Sequence, residues 1–135
     1  MVKDRDLLVR IQENPSGFGL NGTYHSTAMF IEGYDLARDG GVLRGFNEWL
    51  SVRAGELSSQ HWIRRLLSEA IPDFRFQGFE NLRLTPDEDR LCLAHLLSSV
   101  IEFLAVRDGW RTFSKMYAEF HTLVEAVYQS EMENE

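Results

Sequence analysis

The sequence predicts an all-α fold, a single domain built as a bundle of about six helices with an antiparallel helical hairpin at its C-terminal end. Apolar residues recur every three or four positions through most of the 135-residue chain, which is the period of an amphipathic helix. Glycine, proline and small polar residues cluster between these stretches and mark loops. We expect the domain to span residues 1–130, with residues 131–135 as a frayed acidic tail.

The first helix is predicted at about residues 3–12, where two acids precede a short apolar stripe and favour a helix N-terminus. A strand over residues 7–11 is the alternative. Residues 14–22 contain three glycines, one proline and two asparagines, which indicates a loop. We expect Phe18 and Leu20 to fold this loop onto the core.

Two further helices are predicted from the helical spacing of apolar residues. The first of them begins at Thr23 or Ser26, whose hydroxyls can cap it, and it ends at Gly40. The other runs from about Leu43 to Arg53. The apolar positions of the first are Met29, Phe30, Gly33, Tyr34 and Ala37.

A fourth helix is predicted from a paired apolar stripe that a proline closes. A serine at position 58 or 59 is its expected N-cap, and Arg64 and Arg65 are expected to face away from the core. Residues 73–84 lose the helical period and alternate weakly. They are predicted to form a connector with a short extended pair.

The clearest local signal begins the fifth helix. Thr85 can cap it, Pro86 suits its first turn, and Glu88 can return a hydrogen bond to the cap, which is the pattern of a capping box. The helix is apolar around most of its circumference, so we expect it at the centre of the bundle. Asp108 and Gly109 end it, and this short break predicts the antiparallel hairpin with the sixth helix.

Composition and charge exclude several classes of protein. The chain carries 21 acidic and 14 basic residues, and residues 85–135 hold 10 of the acids but 4 of the bases. This acidity argues against binding to nucleic acid or to an anionic membrane, which both need a basic face. The single cysteine permits no internal disulfide, and no apolar run is long enough for a membrane span. We therefore expect a cytoplasmic protein.

One polar line on the fifth helix could carry chemistry, because its members recur at intervals of three and four and share one face. The line consists of Cys92, His95, Ser99 and Glu102. A thiol beside an imidazole suits nucleophilic catalysis or metal binding, so a small enzyme or metal-binding protein that uses Cys92, His95 and Glu102 is an alternative hypothesis. No second ligand pair accompanies the line, and we interpret it as a structural polar edge. No catalytic residue, cofactor or metal is expected.

Three segments of the N-terminal half form a set. They are the Asn14–Pro15 loop that ends in Phe18-Gly19-Leu20, the helical stretch Met29–Ala37, and Arg44–Leu50 with its Phe-x-x-Trp motif. Over about residues 11–62 this pattern resembles small bacterial immunity proteins that are associated with polymorphic toxins. The resemblance implies a protein that acts by binding and that uses no catalytic residue.

The predicted function is therefore neutralisation of a cognate toxin by direct binding. A basic nuclease is a candidate toxin, because an acidic surface speeds association with a basic partner. Asp87, Glu88 and Asp89 are the predicted acidic contact residues. The loop aromatic residues that could also touch a partner are Tyr24, Phe18 and Phe79, although burial is the commoner outcome for such side chains. A self-associating helical adaptor is the third hypothesis, and the oligomeric state is left open.

Overall fold

A computed structural model describes residues 3–134 and shows a helical bundle, which confirms the predicted fold class. The helices are α1 (Asp4–Glu13), α2 (Tyr24–Ala37), α3 (Phe46–Ala54), α4 (Trp62–Ala70), α5 (Pro86–Asp108) and α6 (Trp110–Glu133). Short 3-10 turns lie in the first loop, at Pro15–Phe18, and in the connector, at Phe79–Asn81. The described residues contain no strand, so the extended pair and the N-terminal strand alternative are both wrong.

Helix α5 is the central element, because it contacts each of the other five helices. The predicted capping box begins it: the Glu88 N–H donates to the Thr85 hydroxyl at 3.1 Å, and the Thr85 N–H donates to the Glu88 carboxylate at 2.9 Å. The two bonds satisfy N–H groups that a helix start leaves without partners. The buried residues of α5 are Cys92, Leu96, Leu97, Ser99, Val100, Phe103 and Leu104.

The predicted hairpin of α5 and α6 is present. One non-helical residue, Gly109, separates the two helices. The rings of Phe103 and Phe113 lie 6.3 Å apart, whereas ten residues of one continuous helix would span about 15 Å. The chain therefore turns sharply at Gly109, and beyond the turn α6 packs most extensively on α3.

Aromatic side chains from three helices, α3, α4 and α5, form the centre of the core. The Phe46 ring lies 6.0 Å from Trp49, 5.9 Å from Trp62 and 5.2 Å from Phe103. The backbone before Phe46 is tightly enclosed, since a Cβ atom at Gly45 would lie 2.8 Å from the Phe113 ring. Gly45 also has φ at +90°, which glycine adopts without steric cost.

Helix α2 buries a different face from the predicted one. Its buried residues are Tyr24, Thr27, Ala28 and Ile31, whereas Met29 is exposed. Tyr24, which we expected on a loop, is the first residue of the helix, and its hydroxyl donates to the Ile63 carbonyl at 2.5 Å. It is fully buried, so the prediction that it could touch a partner is wrong. Phe18 and Leu20 pack on the core as expected.

Two predictions about α4 are also wrong. Arg65 is 5% exposed, and its guanidinium donates to the Ser51 hydroxyl at 2.8 Å and to the Glu56 carbonyl at 3.1 Å. The planar guanidinium group of Arg65 donates to oxygen acceptors inside the bundle, while its aliphatic carbons are buried with the rest of the side chain. The N-cap is His61, whose Nδ1 accepts the Ile63 N–H at 3.2 Å, and not a serine.

The end of α6 differs from the expected frayed tail. The helix continues to Glu133, so residues 131–133 are helical. No glycine or proline follows Gly109 in the sequence, and the strongest helix breakers are therefore missing from this segment. Glu135, the last residue of the expected tail, lies outside the described residues.

Candidate functional site

The structure separates the predicted polar line of α5 into buried and exposed members. Cys92 and Ser99 are each 1% exposed and face the core, His95 is half-buried, and Glu102 is exposed. The line is therefore not one solvent-accessible edge. Within the described residues, no group of three or more histidine, cysteine, aspartate or glutamate side chains is placed to hold a metal ion.

His95 and Ser99 belong to a polar network that joins three helices. Glu69 of α4 is its centre: one carboxylate oxygen is 2.8 Å from His95 Nε2 and also accepts from the Arg53 guanidinium. Arg53 of α3 donates to the Ser99 hydroxyl at 3.0 Å and lies over the Trp49 ring at 4.7 Å. The sequence pattern does not indicate Glu69 or Arg53 as members of this network, because the partners are 16 to 46 residues apart.

The pKa shifts of Glu69 and Cys92 fit a structural role for both residues. Burial raises the pKa of Glu69, but the hydrogen bond from His95 and the charge of Arg53 outweigh it and leave that pKa below its ordinary value. Burial, with smaller contributions from the charges of Asp89 and Glu88, raises the pKa of the Cys92 thiol to about 11. The thiol is therefore protonated near pH 7, whereas a nucleophilic cysteine needs a lowered pKa.

A second charged network, which the sequence did not indicate, ties α1 to α2 and α5. The buried carboxylate of Asp4 accepts from the Tyr34 hydroxyl and pairs with Arg38 at 3.2 Å and with Arg107 at 3.1 Å. Arg107 also donates to the Val42 carbonyl at 3.0 Å. Each partner is at least 30 residues away from Asp4, so no local spacing reveals the network.

The three predicted acidic contact residues have different surroundings. Asp87 is strongly exposed and pairs with Arg90 one turn along α5. Glu88 completes the capping box, and the Asp89 carboxylate accepts the Tyr24 N–H at 2.8 Å. Asp89 therefore satisfies a free donor at the start of α2. Asp87 is the member of the three that has no such role in the fold.

Two surface grooves are deep enough to receive a side chain of a partner. One, of about 530 Å³, lies between α2, α4 and the connector, and its lining includes one acidic and one basic residue, Glu32 and Arg64, together with His61. The predicted partner residue Phe79 lines it and stacks on His25, with ring centroids 4.6 Å apart.

The other groove, of about 440 Å³, lies beside α3 and α6. Its apolar walls are Leu57, Phe120 and Val124, and Glu48 is the one charged residue of its described lining. This groove adjoins residues 116–133 of α6, a stretch that contains glutamates but neither lysine nor arginine. The exposed glutamates there are Glu119, Glu125, Glu131 and Glu133.

The described part of the chain has no helix with the length and apolarity needed to cross a membrane. The chain matches no protein-family model, no curated protein and no solved structure.

Proposed function

We propose that this chain is a non-enzymatic immunity protein of the bacterial cytoplasm, which neutralises a cognate toxin by binding it directly. The class of toxin that its charge fits best is a basic nuclease. One observation carries the proposal: the last 20 residues contain five glutamates and neither lysine nor arginine. The four of these glutamates that the structure describes are exposed on α6.

Segregated acidic charge supports binding to a basic protein for two physical reasons. It steers a basic partner toward one face and so raises the association rate, and it penalises acidic competitors by like-charge repulsion. A nuclease needs basic residues to hold its polyanionic substrate, so an acidic protein can occupy the same surface.

The networks of the protein interior support the same proposal indirectly. Three of the four residues of the polar line on α5 are engaged within the fold: His95 with Glu69, Ser99 with Arg53, and Cys92 in the apolar core. The fourth, Glu102, is exposed. The exposed surface is left to carry the function. Asp87 remains a proposed contact residue, and Leu91, which follows it by one turn and is 55% exposed, adds an apolar neighbour on the same face.

The test is co-expression in bacteria with the toxic product of the adjacent gene. The proposal predicts that this chain restores growth and that the two purified proteins form a complex that salt weakens, since exposed charge pairs are screened. Asp87→Lys is the matched variant, because it reverses one exposed charge without removing a cap. Absence of both rescue and complex would contradict the proposal.

A further inference from the structure

Helix α6 is much longer than the helix on which it packs. With a rise of about 1.5 Å per residue, the 24 residues of α6 span about 36 Å and the 9 residues of α3 about 14 Å. Met116 is the one residue of α6 that is buried in the described structure. Farther along, Leu123, Val124 and Val127 are half-buried. The C-terminal half of α6, Phe120–Glu133, therefore shows apolar side chains that the bundle covers incompletely.

The groove beside this half-helix has the shape and charge for one kind of side chain. Leu57, Phe120 and Val124 offer apolar walls, and Glu48 is the charged residue of the described lining. Glu48 forms no ion pair with any other residue between positions 3 and 134. A lysine or arginine can pack its aliphatic stem on apolar walls while its cation meets a carboxylate.

Charge decides between two occupants of this surface, a basic partner and a second copy of the chain. Glu125, Glu131 and Glu133 lie on the half-helix, and neither lysine nor arginine occurs after Lys115. Two copies that met through this half of α6 would bring glutamates against glutamates, which is unfavourable. A partner with a basic surface would gain attraction from the same residues.

We propose that Phe120–Glu133 and the groove formed with Leu57 and Glu48 are the docking surface for the basic toxin, and that a lysine or arginine of the toxin enters the groove. This inference rests on the proposed function and names the surface that performs it. The groove supplies the apolar anchor of the contact, and the glutamates of α6 supply its acidic rim, an arrangement typical of protein interfaces.

The experiment compares variants in binding to a catalytically inactive form of the adjacent-gene product, measured by calorimetry, and in rescue of growth. Val124→Arg places a cation and added bulk in the groove, and it should weaken binding at least about 30-fold, the size of a hot-spot loss. Glu48→Gln keeps the shape and removes the charge, and it should weaken binding roughly 5- to 10-fold. Leu36→Arg, at a 67% exposed apolar residue of α2, is the matched control and should bind within about 2-fold of the unaltered chain.

The outcomes separate the two proposals. If the unaltered chain neither binds nor rescues, the proposed function and the docking surface are both wrong. If it binds and rescues but Val124→Arg and Glu48→Gln do so equally well, the docking surface alone is wrong. Loss of binding in Asp87→Lys without loss in the α6 variants would move the contact to the start of α5. A dimer in light scattering that Val124→Arg dissociates would assign the surface to a second copy and overturn the inference.

Circular dichroism and urea unfolding of each variant show whether it is folded. Val124 is half-buried at the surface of the bundle, and Glu48 makes no ion pair with a described residue, so both variants are expected to retain the stability of the unaltered chain. If Val124→Arg unfolds, Glu48→Gln still decides the proposal.

Discussion

Removal of the Asp4 carboxylate should strongly destabilise the fold. Asp4 is 8% exposed in its side chain and pairs with Arg107, which is 17% exposed. Asp4→Ala leaves Arg107 without its buried counter-ion and the Tyr34 hydroxyl without its acceptor. Loss of one partner of a fully buried ion pair costs about 3–5 kcal/mol. Arg107 keeps Asp108, a more exposed carboxylate at 2.8 Å, as a counter-ion, and the Gly41 and Val42 carbonyls as acceptors. We therefore expect a loss of about 2 kcal/mol in the free energy of unfolding.

The assay is urea unfolding at pH 7, followed by circular dichroism, with Arg38→Ala as the control. Arg38 pairs with the same carboxylate but is 48% exposed, so its loss should cost at most about 0.5–1 kcal/mol. Equal losses in the two variants would refute the reasoning that burial, and not the count of ion pairs, sets the cost.

The same carboxylate gives a dependence on pH. Burial raises the pKa of Asp4, but the Tyr34 hydrogen bond and the charge of Arg107 outweigh it and lower that pKa below its ordinary value. A group whose pKa is lowered by folding contributes stability above its unfolded pKa, and that contribution is lost as the pH falls through the folded value. The free energy of unfolding of the unaltered chain should therefore fall below about pH 4. In Asp4→Asn this fall should be shallower. An identical pH profile for the two proteins would show that Asp4 does not cause the dependence on pH.

The remaining predictions concern local contacts of the helices and the chemistry of α5. Thr85→Ala removes the acceptor of the Glu88 N–H and should lower the free energy of unfolding by about 1 kcal/mol, measured by urea unfolding; an unchanged midpoint would show that the capping box contributes nothing. Gly45→Ala introduces a Cβ atom 2.8 Å from the Phe113 ring, at a residue whose φ is +90°. It should lower the free energy of unfolding by about 2 kcal/mol or more. A thermal midpoint equal to that of the unaltered chain would show that the α3–α6 contact is loose. Burial raises the pKa of the Cys92 thiol to about 11, so this thiol should react with a thiol reagent at pH 7 far more slowly in the folded chain than in urea. Replacement of both Cys92 and His95 by alanine should leave the metal content of the purified protein unchanged. Fast labelling of the folded chain, or loss of a bound metal, would instead support a reactive site on α5.

The parts of the fold that the sequence predicted depend on neighbouring residues. The Thr85–Glu88 capping box and the break at Gly109 are both local patterns, and both occur where expected. The face of α2 and the burial of Arg65 depend on which surface each helix presents to the others. The apolar pattern of the sequence does not decide which face of α2 is buried. Ala28 and Met29 are both apolar, yet only Ala28 is buried.

The candidate site shows the same division between local and distant information. The acidic bias of the C-terminal third is visible in the sequence, and so is the exposed position of Asp87 at the start of a helix. The proposed docking groove cannot be read from the sequence, because it unites Glu48, Leu57 and Val124, which come from three separate segments. His95 likewise finds Glu69 only after α4 and α5 have packed.

Neutralisation of a basic toxin by direct binding is the central proposal for this chain. Its most direct test is a calorimetric titration of the purified chain with the inactive adjacent-gene product at low and high salt. We expect one-to-one binding with a Kd below about 100 nM, and we expect this binding to weaken as the salt concentration rises. An absence of binding at both salt concentrations, for a chain that is folded by circular dichroism, would contradict it.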